Sequence, residues 1–132
     1  MKMQVRYSAN DDAMRLFYDC PADGSYPVDD QWNIVADISE EDDRKVVGLE
    51  LLNYVPYLPL GKQGYCLETD TLTVGSKSGA STQVTEYGDF VAHWSLDEVG
   101  CTKLDAVDLR NASKHMSPVI AASRRYAKAS KP

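Results

Sequence analysis

The sequence predicts a mainly β protein with a short C-terminal helix, built from two repeated four-stranded antiparallel units. Apolar and polar residues alternate with a period of two, turn-forming residues separate the alternating stretches, and the same pattern recurs in the second half of the chain. A chain of 132 residues is long enough to form a core of its own. We therefore expect one compact domain over 1–132, with a first β-unit (3–60), a second β-unit (61–116) and a helix (117–130).

The first unit contains four predicted strands. They are Met3 to Tyr7, Ala13 to Tyr18, Trp32 to Ser39 and Val46 to Asn53. The Pro and Gly residues of the segment 20–27 favour a loop there. In the closing strand, simple alternation places Val47, Leu49 and Leu51 on the inward face and leaves Val46 on the other face.

The second unit repeats this pattern at an offset of 56 to 58 residues. Its predicted strands are Tyr65 to Glu68, Thr71 to Gly75, Phe90 to Ser95 and Lys103 to Asn111. The offset changes only between elements, where loops accept insertions most easily. Leu104, like Val46, falls off the predicted inward face. We expect the units to pack with pseudo-twofold symmetry, as two sheets face to face or as one sheet-like pseudo-dimer.

Prolines mark the two remaining segments. Pro56 and Pro59 exclude regular helix or a central strand from the linker over 54–61. Ser117 is a suitable N-cap, and Pro118 suits the first helical position that follows it. The sequence therefore predicts the C-terminal helix over 117–130.

Four stretches of the first unit resemble a family of small bacterial proteins, the domain of unknown function 2283. They are Val5-Arg6-Tyr7, Asp12-Ala13-Met14-Arg15-Leu16, Ile34-Val35-Ala36-Asp37 and Val46-Val47-Gly48-Leu49-Glu50-Leu51. The resemblance covers 3–54, with 65–112 as a degenerate second copy. Ala106 and Asp108 stand where the family places Gly and Glu, and Ser8 stands where it places Asp. The resemblance implies a compact β-rich module and supplies no activity.

Charge is unevenly distributed along the chain. The first 60 residues contain 12 acids and 5 bases, whereas the residues from Arg110 onward contain 6 bases and no acid. The predicted interaction residues are the acids Asp29, Asp30, Glu40, Glu41, Asp42 and Asp43. They are interpreted either as a solvated turn or as a contact surface for a basic protein. The net charge of −6 disfavours direct binding to nucleic acid.

Two sets of residues offer candidate chemistry. Glu50 and Asp108 occupy equivalent positions in the two units and form an alternative site, as a carboxylate pair for acid–base work or cation binding. His93 and Cys101 are a second candidate, although no nucleophile motif joins them. The simpler interpretation is structural for all four residues. His115 is expected to be solvated.

Two functional classes follow from these patterns. The favoured hypothesis is a non-catalytic acidic interaction protein, such as a small phage or mobile-element inhibitor that binds a basic or nucleic-acid-handling protein. The alternative is a small hydrolase or ligand-binding enzyme. A second copy of the chain is another expected partner. Because neither a signal-peptide core nor an apolar membrane span occurs, we expect a cytoplasmic protein that does not bind membranes. Three widely spaced cysteines predict no metal site, and we expect no cofactor.

Overall fold

The computed structural model describes residues 2–8, 13–28, 34–40, 44–52, 65–76 and 83–115. Within these ranges the protein is mainly β, as predicted, and forms two antiparallel sheets. The first sheet contains β1 (Gln4–Ser8), β2 (Ala13–Phe17), β3 (Gly24–Pro27), β4 (Ile34–Ser39) and β5 (Lys45–Leu52). The second contains β6 (Tyr65–Cys66), β7 (Thr71–Gly75), β8 (Gln83–Tyr87), β9 (Phe90–Leu96) and β10 (Thr102–Leu109).

The two sheets have the same topology. Their spatial orders are β1-β2-β5-β4-β3 and β6-β7-β10-β9-β8, so each closing strand lies at the centre of its sheet. The prediction of four strands per unit is wrong, because each described sheet has five. The strands that the sequence pattern missed are β3 and β8, which are edge strands. An edge strand pairs on one side only, so it accepts Gly24 and Pro27, whose residue types indicate a loop.

Each closing strand carries a β-bulge at the equivalent position. In the first sheet Asp37 pairs with Gly48 and Ile38 pairs with Val46, which leaves Val47 as the extra residue of β5. In the second sheet the extra residue of β10 is Asp105. A bulge shifts the alternation of side chains by one residue.

These bulges correct the predicted faces of the closing strands. Val46 and Leu104, which simple alternation places outside the inward face, both belong to the core. Val47 is buried but is not part of that core cluster. The predicted inward positions of Leu49 and Leu51 are observed, since these side chains are 1% and 0% exposed.

The core lies between the sheets and contains residues of both. Tyr18 of the first half packs edge-on against Tyr87 and Phe90, with ring centroids 5.4 and 5.6 Å away. Tyr26 packs in the same manner against Trp94, at 6.1 Å. Such contacts between aromatic rings stabilise a core beyond the burial of their area. The arrangement fits the predicted alternative of two sheets packed face to face.

The chain turns into a helical segment after β10. Residues 112–115 are helical, and Asp70 caps this turn by accepting hydrogen bonds from the Ser113 amide at 3.0 Å and the Ser113 hydroxyl at 2.6 Å. The predicted helix over 117–130 and the linker over 54–61 lie outside the described residues. No helix in the described ranges is long and apolar enough to cross a membrane.

Candidate functional site

The predicted acidic surface is described at one of its six residues. Glu40 is exposed at the end of β4, where its Oε1 accepts a hydrogen bond from the Tyr26 hydroxyl at 3.4 Å. Its backbone amide donates to Asp23 Oδ2 at 2.8 Å. The fold thus brings a second exposed acid, Asp23, beside Glu40 from a distant part of the sequence. The other predicted residues, Asp29, Asp30, Glu41, Asp42 and Asp43, lie outside the described residues.

The corresponding turn of the second sheet, between β9 and β10, has a different character. Asp97 organises it by accepting hydrogen bonds from the amides of Val99 and Cys101, at 3.0 and 2.8 Å. Val99 is 82% exposed at its tip, next to the exposed Glu98. The two equivalent turns therefore share a position in the fold but present different surfaces.

The structure does not bring Glu50 and Asp108 together. Glu50 lies between two core residues of β5, and Asp108 lies between two core residues of β10. Because successive strand residues point to opposite faces, both carboxylates point away from the shared core, each on the outer face of its own sheet. The two carboxylates consequently belong to separate clusters, one on each sheet.

Glu50 belongs to a polar cluster on the outer face of the first sheet. Its cross-strand neighbours are Arg15 on β2 and Val35 on β4, and its carboxyl group interacts with that of Asp37. Asp37 Oδ1 accepts a hydrogen bond from the Ser25 hydroxyl at 3.2 Å, and Asp37 Oδ2 lies 3.6 Å from Arg15 Nε. Burial, the charge of Asp37 and a hydrogen bond to Asp37 raise the pKa of Glu50, against the lowering effect of Arg15.

Gly48 allows this cluster to form. A Cβ at this position would lie 3.0 Å from Asp37 Oδ2 and 3.2 Å from Phe17 Cβ. The Asp37 side chain, which is 8% exposed, therefore lies in space that a side chain at position 48 would also need. Asp37 Oδ2 is buried and accepts no hydrogen bond from the described residues, and Arg15 Nε at 3.6 Å is the cation beside it.

Asp108 belongs to the equivalent cluster of the second sheet. His93 Nε2 lies 2.8 Å from Asp108 Oδ2, and the Thr73 hydroxyl donates to Asp108 Oδ1 at 2.5 Å. Thr73 pairs with Asp108 as Arg15 pairs with Glu50. His93 stands at the position of Asp37, which the repeat offset of 56 also indicates. The predicted equivalence of Glu50 and Asp108 thus extends to their partners.

The structure does not bring His93 and Cys101 together either. His93 on β9 pairs with Ala106 on β10. Cys101 lies in the turn that joins these two strands, beyond the pair Thr102 and Leu96. Three residues separate His93 from Leu96, which is about 10 Å along a strand. Cys101 is exposed at the far end of this hairpin, and His93 pairs with a carboxylate instead.

A second His–Asp pair, which the sequence analysis missed, involves His115. Its Nε2 lies 2.5 Å from Asp89 Oδ2, and the His115 side chain is 9% exposed, so the expectation of a solvated histidine is wrong. Asn111 Nδ2 donates to Asp89 Oδ1 at 3.0 Å, and the Asp89 amide donates to the Tyr18 hydroxyl at 2.9 Å. A histidine in a polar connection carries no sequence signal for a partner 26 residues away.

Opposing effects act on the pKa values of this cluster. Burial acts to raise the pKa of Asp89, but hydrogen bonds from His115 and Asn111 and the charges of His115 and Arg110 outweigh it, so the pKa lies below its usual value. Burial raises the pKa of Tyr18, an effect to which the charge of Asp89 adds. Asp89 is therefore a carboxylate and Tyr18 a neutral phenol at neutral pH.

The described residues contain no group of three or more His, Cys, Asp or Glu side chains that could hold a metal ion. The cysteines Cys20, Cys66 and Cys101 are free thiols. Hydrogen bonds from the side chain and backbone of Thr69 lower the pKa of the exposed Cys66 thiol.

Comparison with known proteins gives no relative from which function could be transferred. No family model matches the chain, and no curated protein or solved structure shows significant similarity to it.

Proposed function

We propose that this protein is a non-catalytic acidic interaction protein that binds a basic or nucleic-acid-handling protein, in the manner of a small phage or mobile-element inhibitor. The observation behind this proposal is the pairing of Asp23 with Glu40. Both are exposed, and a hydrogen bond between the Glu40 amide and the Asp23 carboxylate fixes their relative position. Glu40 stands directly before the acidic run Glu41-Asp42-Asp43 in the chain.

Electrostatics explain why such a surface suits a basic partner. Clustered carboxylates attract Lys- and Arg-rich surfaces at long range and accelerate the encounter between two proteins. The hydrogen bond from the Tyr26 hydroxyl already restrains the Glu40 side chain, so less side-chain freedom is lost when a partner binds. The acids also present negative charge to a protein whose own ligand is a phosphate backbone.

The alternative of a small hydrolase or ligand-binding enzyme has less support from the geometry. It relies on residue pairs, Glu50 with Asp108 and His93 with Cys101, that lie apart in the fold. His93 and Asp108 do pair, but Asp108 also accepts a hydrogen bond from Thr73, so this carboxylate is engaged on both oxygens.

We also propose that the chain is a tandem, diverged relative of the domain of unknown function 2283. The identical strand order of the two sheets supports a duplication. The bulges at Val47 and Asp105 are 58 residues apart, which agrees with the repeat offset of the sequence and supports the same duplication. This relationship accounts for the evolutionary origin of the chain and does not indicate an activity.

The proposed function is tested by reversing charge on the acidic surface. We expect the tagged protein to retain a basic protein from lysate of its native cell, identified by mass spectrometry. Changing Glu40 and Asp42 to Lys should abolish this retention. The matched control changes Glu68 and Glu98 to Lys, which alters the net charge equally at exposed positions of the second half.

The control distinguishes a specific surface from a general charge effect. Retention that survives in the Glu40/Asp42 variant, or that is lost equally in the Glu68/Glu98 variant, contradicts the proposal. Retention should also fall steeply as salt is raised to about 0.15 M, where the Debye length is about 8 Å.

A further inference from the structure

We propose that the outer edge of the first strand, along residues 2–6, is a binding site for an extended peptide in which acidic and apolar residues alternate. In the described part of the chain, β1 is the terminal strand of its sheet and pairs only with β2. A groove of about 520 Å³ runs along this edge. Its lining residues are Lys2, Met3, Gln4, Val5, Arg6, Tyr18, Asp89, Lys114 and His115.

An edge strand supplies main-chain hydrogen-bonding groups to an added strand. The N–H and C=O groups on its unpaired side form a template for β-augmentation, in which a peptide extends the sheet by one strand. The groove has a volume within the usual range for ligand sites. Its second wall comes from the helical segment 112–115 of the other half, so a bound peptide would contact both halves.

Charge along the outer face of this edge is positive. Lys2, Gln4 and Arg6 are exposed and alternate with residues that face inward. Arg6 is held in place by Phe17, whose ring centroid lies 5.4 Å from the guanidinium carbon. Side chains two residues apart on a strand are about 6.6 Å apart, and an added strand has the same spacing. Acids at alternate positions of a peptide therefore match Lys2 and Arg6.

The inner side of the same edge is apolar. Met3 is 8% exposed and belongs to the core, and Val5 packs against the core from a half-buried position. The intervening residues of an added strand would lie beside these two side chains. This pattern favours Val, Ile or Leu between the acids of the peptide.

The opposite wall adds to the positive charge. Lys114 is exposed there, and the Asp89 carboxylate is engaged by hydrogen bonds with His115 and Asn111. Among the described lining residues, Lys2, Arg6 and Lys114 thus outnumber the single acid Asp89, although the chain as a whole has a net charge of −6. An acidic ligand matches this local charge.

The test uses a fluorescent peptide with the sequence Glu-Val-Glu-Val-Glu, blocked at both ends, and measures its fluorescence anisotropy with the full-length protein. We expect saturable binding that weakens by about tenfold or more in Arg6→Glu and Lys114→Glu. The matched control is Lys103→Glu, which makes the same charge change at an exposed position outside this groove. Thermal unfolding of each variant checks that the fold is retained.

Two further ligands separate β-augmentation from simple charge attraction. The same peptide with N-methylated backbone amides retains its charges but cannot donate main-chain hydrogen bonds, so we expect it to bind at least about tenfold more weakly. A single-stranded oligothymidylate carries negatively charged phosphates but has no peptide backbone with which to extend the sheet. The proposal is overturned if the N-methylated peptide binds equally, if only the oligonucleotide binds, if Lys103→Glu weakens binding as much as Arg6→Glu, or if the peptide shows no saturable binding.

Discussion

At the scale of single residues, Asp37 and Glu50 place two carboxyl groups side by side on the outer face of the first sheet. The equivalent positions of the second sheet hold His93 and Asp108, which pair without needing a proton on a carboxyl group. In the first sheet a hydrogen bond between the two groups requires that one of them be protonated. Burial and the neighbouring charge of Asp37 raise the pKa of Glu50, which favours protonation there.

This pair should make stability dependent on pH. Since the pKa of Glu50 is raised in the folded state, its contribution to stability is fully present below the usual glutamate pKa and is lost as pH rises through the folded-state value. Glu50→Gln replaces the proton by a permanent N–H donor. We expect this variant to be more stable than the wild type at about pH 8, by less than about 1.4 kcal/mol because Glu50 is partly exposed, and similar at about pH 4.

Chemical denaturation at the two pH values measures this difference. The control is Glu98→Gln, at an exposed turn position where no pH-dependent difference is expected. A destabilisation by Glu50→Gln that is largest at high pH would contradict the sharing of a proton with Asp37.

The residues of the candidate clusters were only partly predictable. The repeat aligned Glu50 with Asp108 and His93 with Asp37, because these relations depend on spacing alone. The contacts between them depend on which strands are adjacent and on the register across a bulge. No local sequence pattern specifies either property. The pairing of His115 with Asp89 was missed for a similar reason, because the two residues are far apart in the sequence.

At the scale of elements, the closing strand β5 is the central strand of its sheet. Leu51 is 0% exposed and faces the core, whereas its neighbour Leu52 is 38% exposed. We expect Leu51→Ala to reduce the free energy of unfolding by about 2–5 kcal/mol, because it removes buried methyl groups and leaves a cavity. Leu52→Ala is the matched control and should cost about 0.5 kcal/mol or less. Equal effects of the two substitutions on the denaturant midpoint would show that the faces of β5 are assigned wrongly.

The predictability of an element depended on how clearly its side chains alternate, since the edge strands β1 and β6 were predicted and the edge strands β3 and β8 were not. The central and inner strands β2, β4, β5, β7, β9 and β10 were predicted with small errors at their ends, because their inward faces alternate clearly. The edge strands β3 and β8 were missed, since an edge strand needs little apolar surface. In β8, Gln83, Val84 and Glu86 are all exposed. The bulges at Val47 and Asp105 were missed because alternation has no signal for an extra residue.

At the scale of the whole molecule, the two repeated sheets depend on each other. Each sheet turns an apolar face toward the shared core, and a sheet is stable only when such a face is covered. The Tyr18 ring reaches Phe90 and Tyr87 of the other half, and its hydroxyl accepts a hydrogen bond from the Asp89 amide. Gly88 makes this possible, because a Cβ at this positive-φ residue would overlap the Tyr18 ring. The two halves therefore share one hydrophobic core despite their repeated topology.

A shared core predicts cooperative unfolding. Leu16 of the first sheet and Phe90 of the second are both 0% exposed in the same cluster. We expect calorimetry to show one transition with equal calorimetric and van 't Hoff enthalpies. Leu16→Ala and Phe90→Ala should each lower the midpoint of this one transition, at a cost of about 2–5 and 3–5 kcal/mol respectively. If each repeat were a separate folding unit, either substitution would instead split the trace, with one transition lowered and the other unchanged.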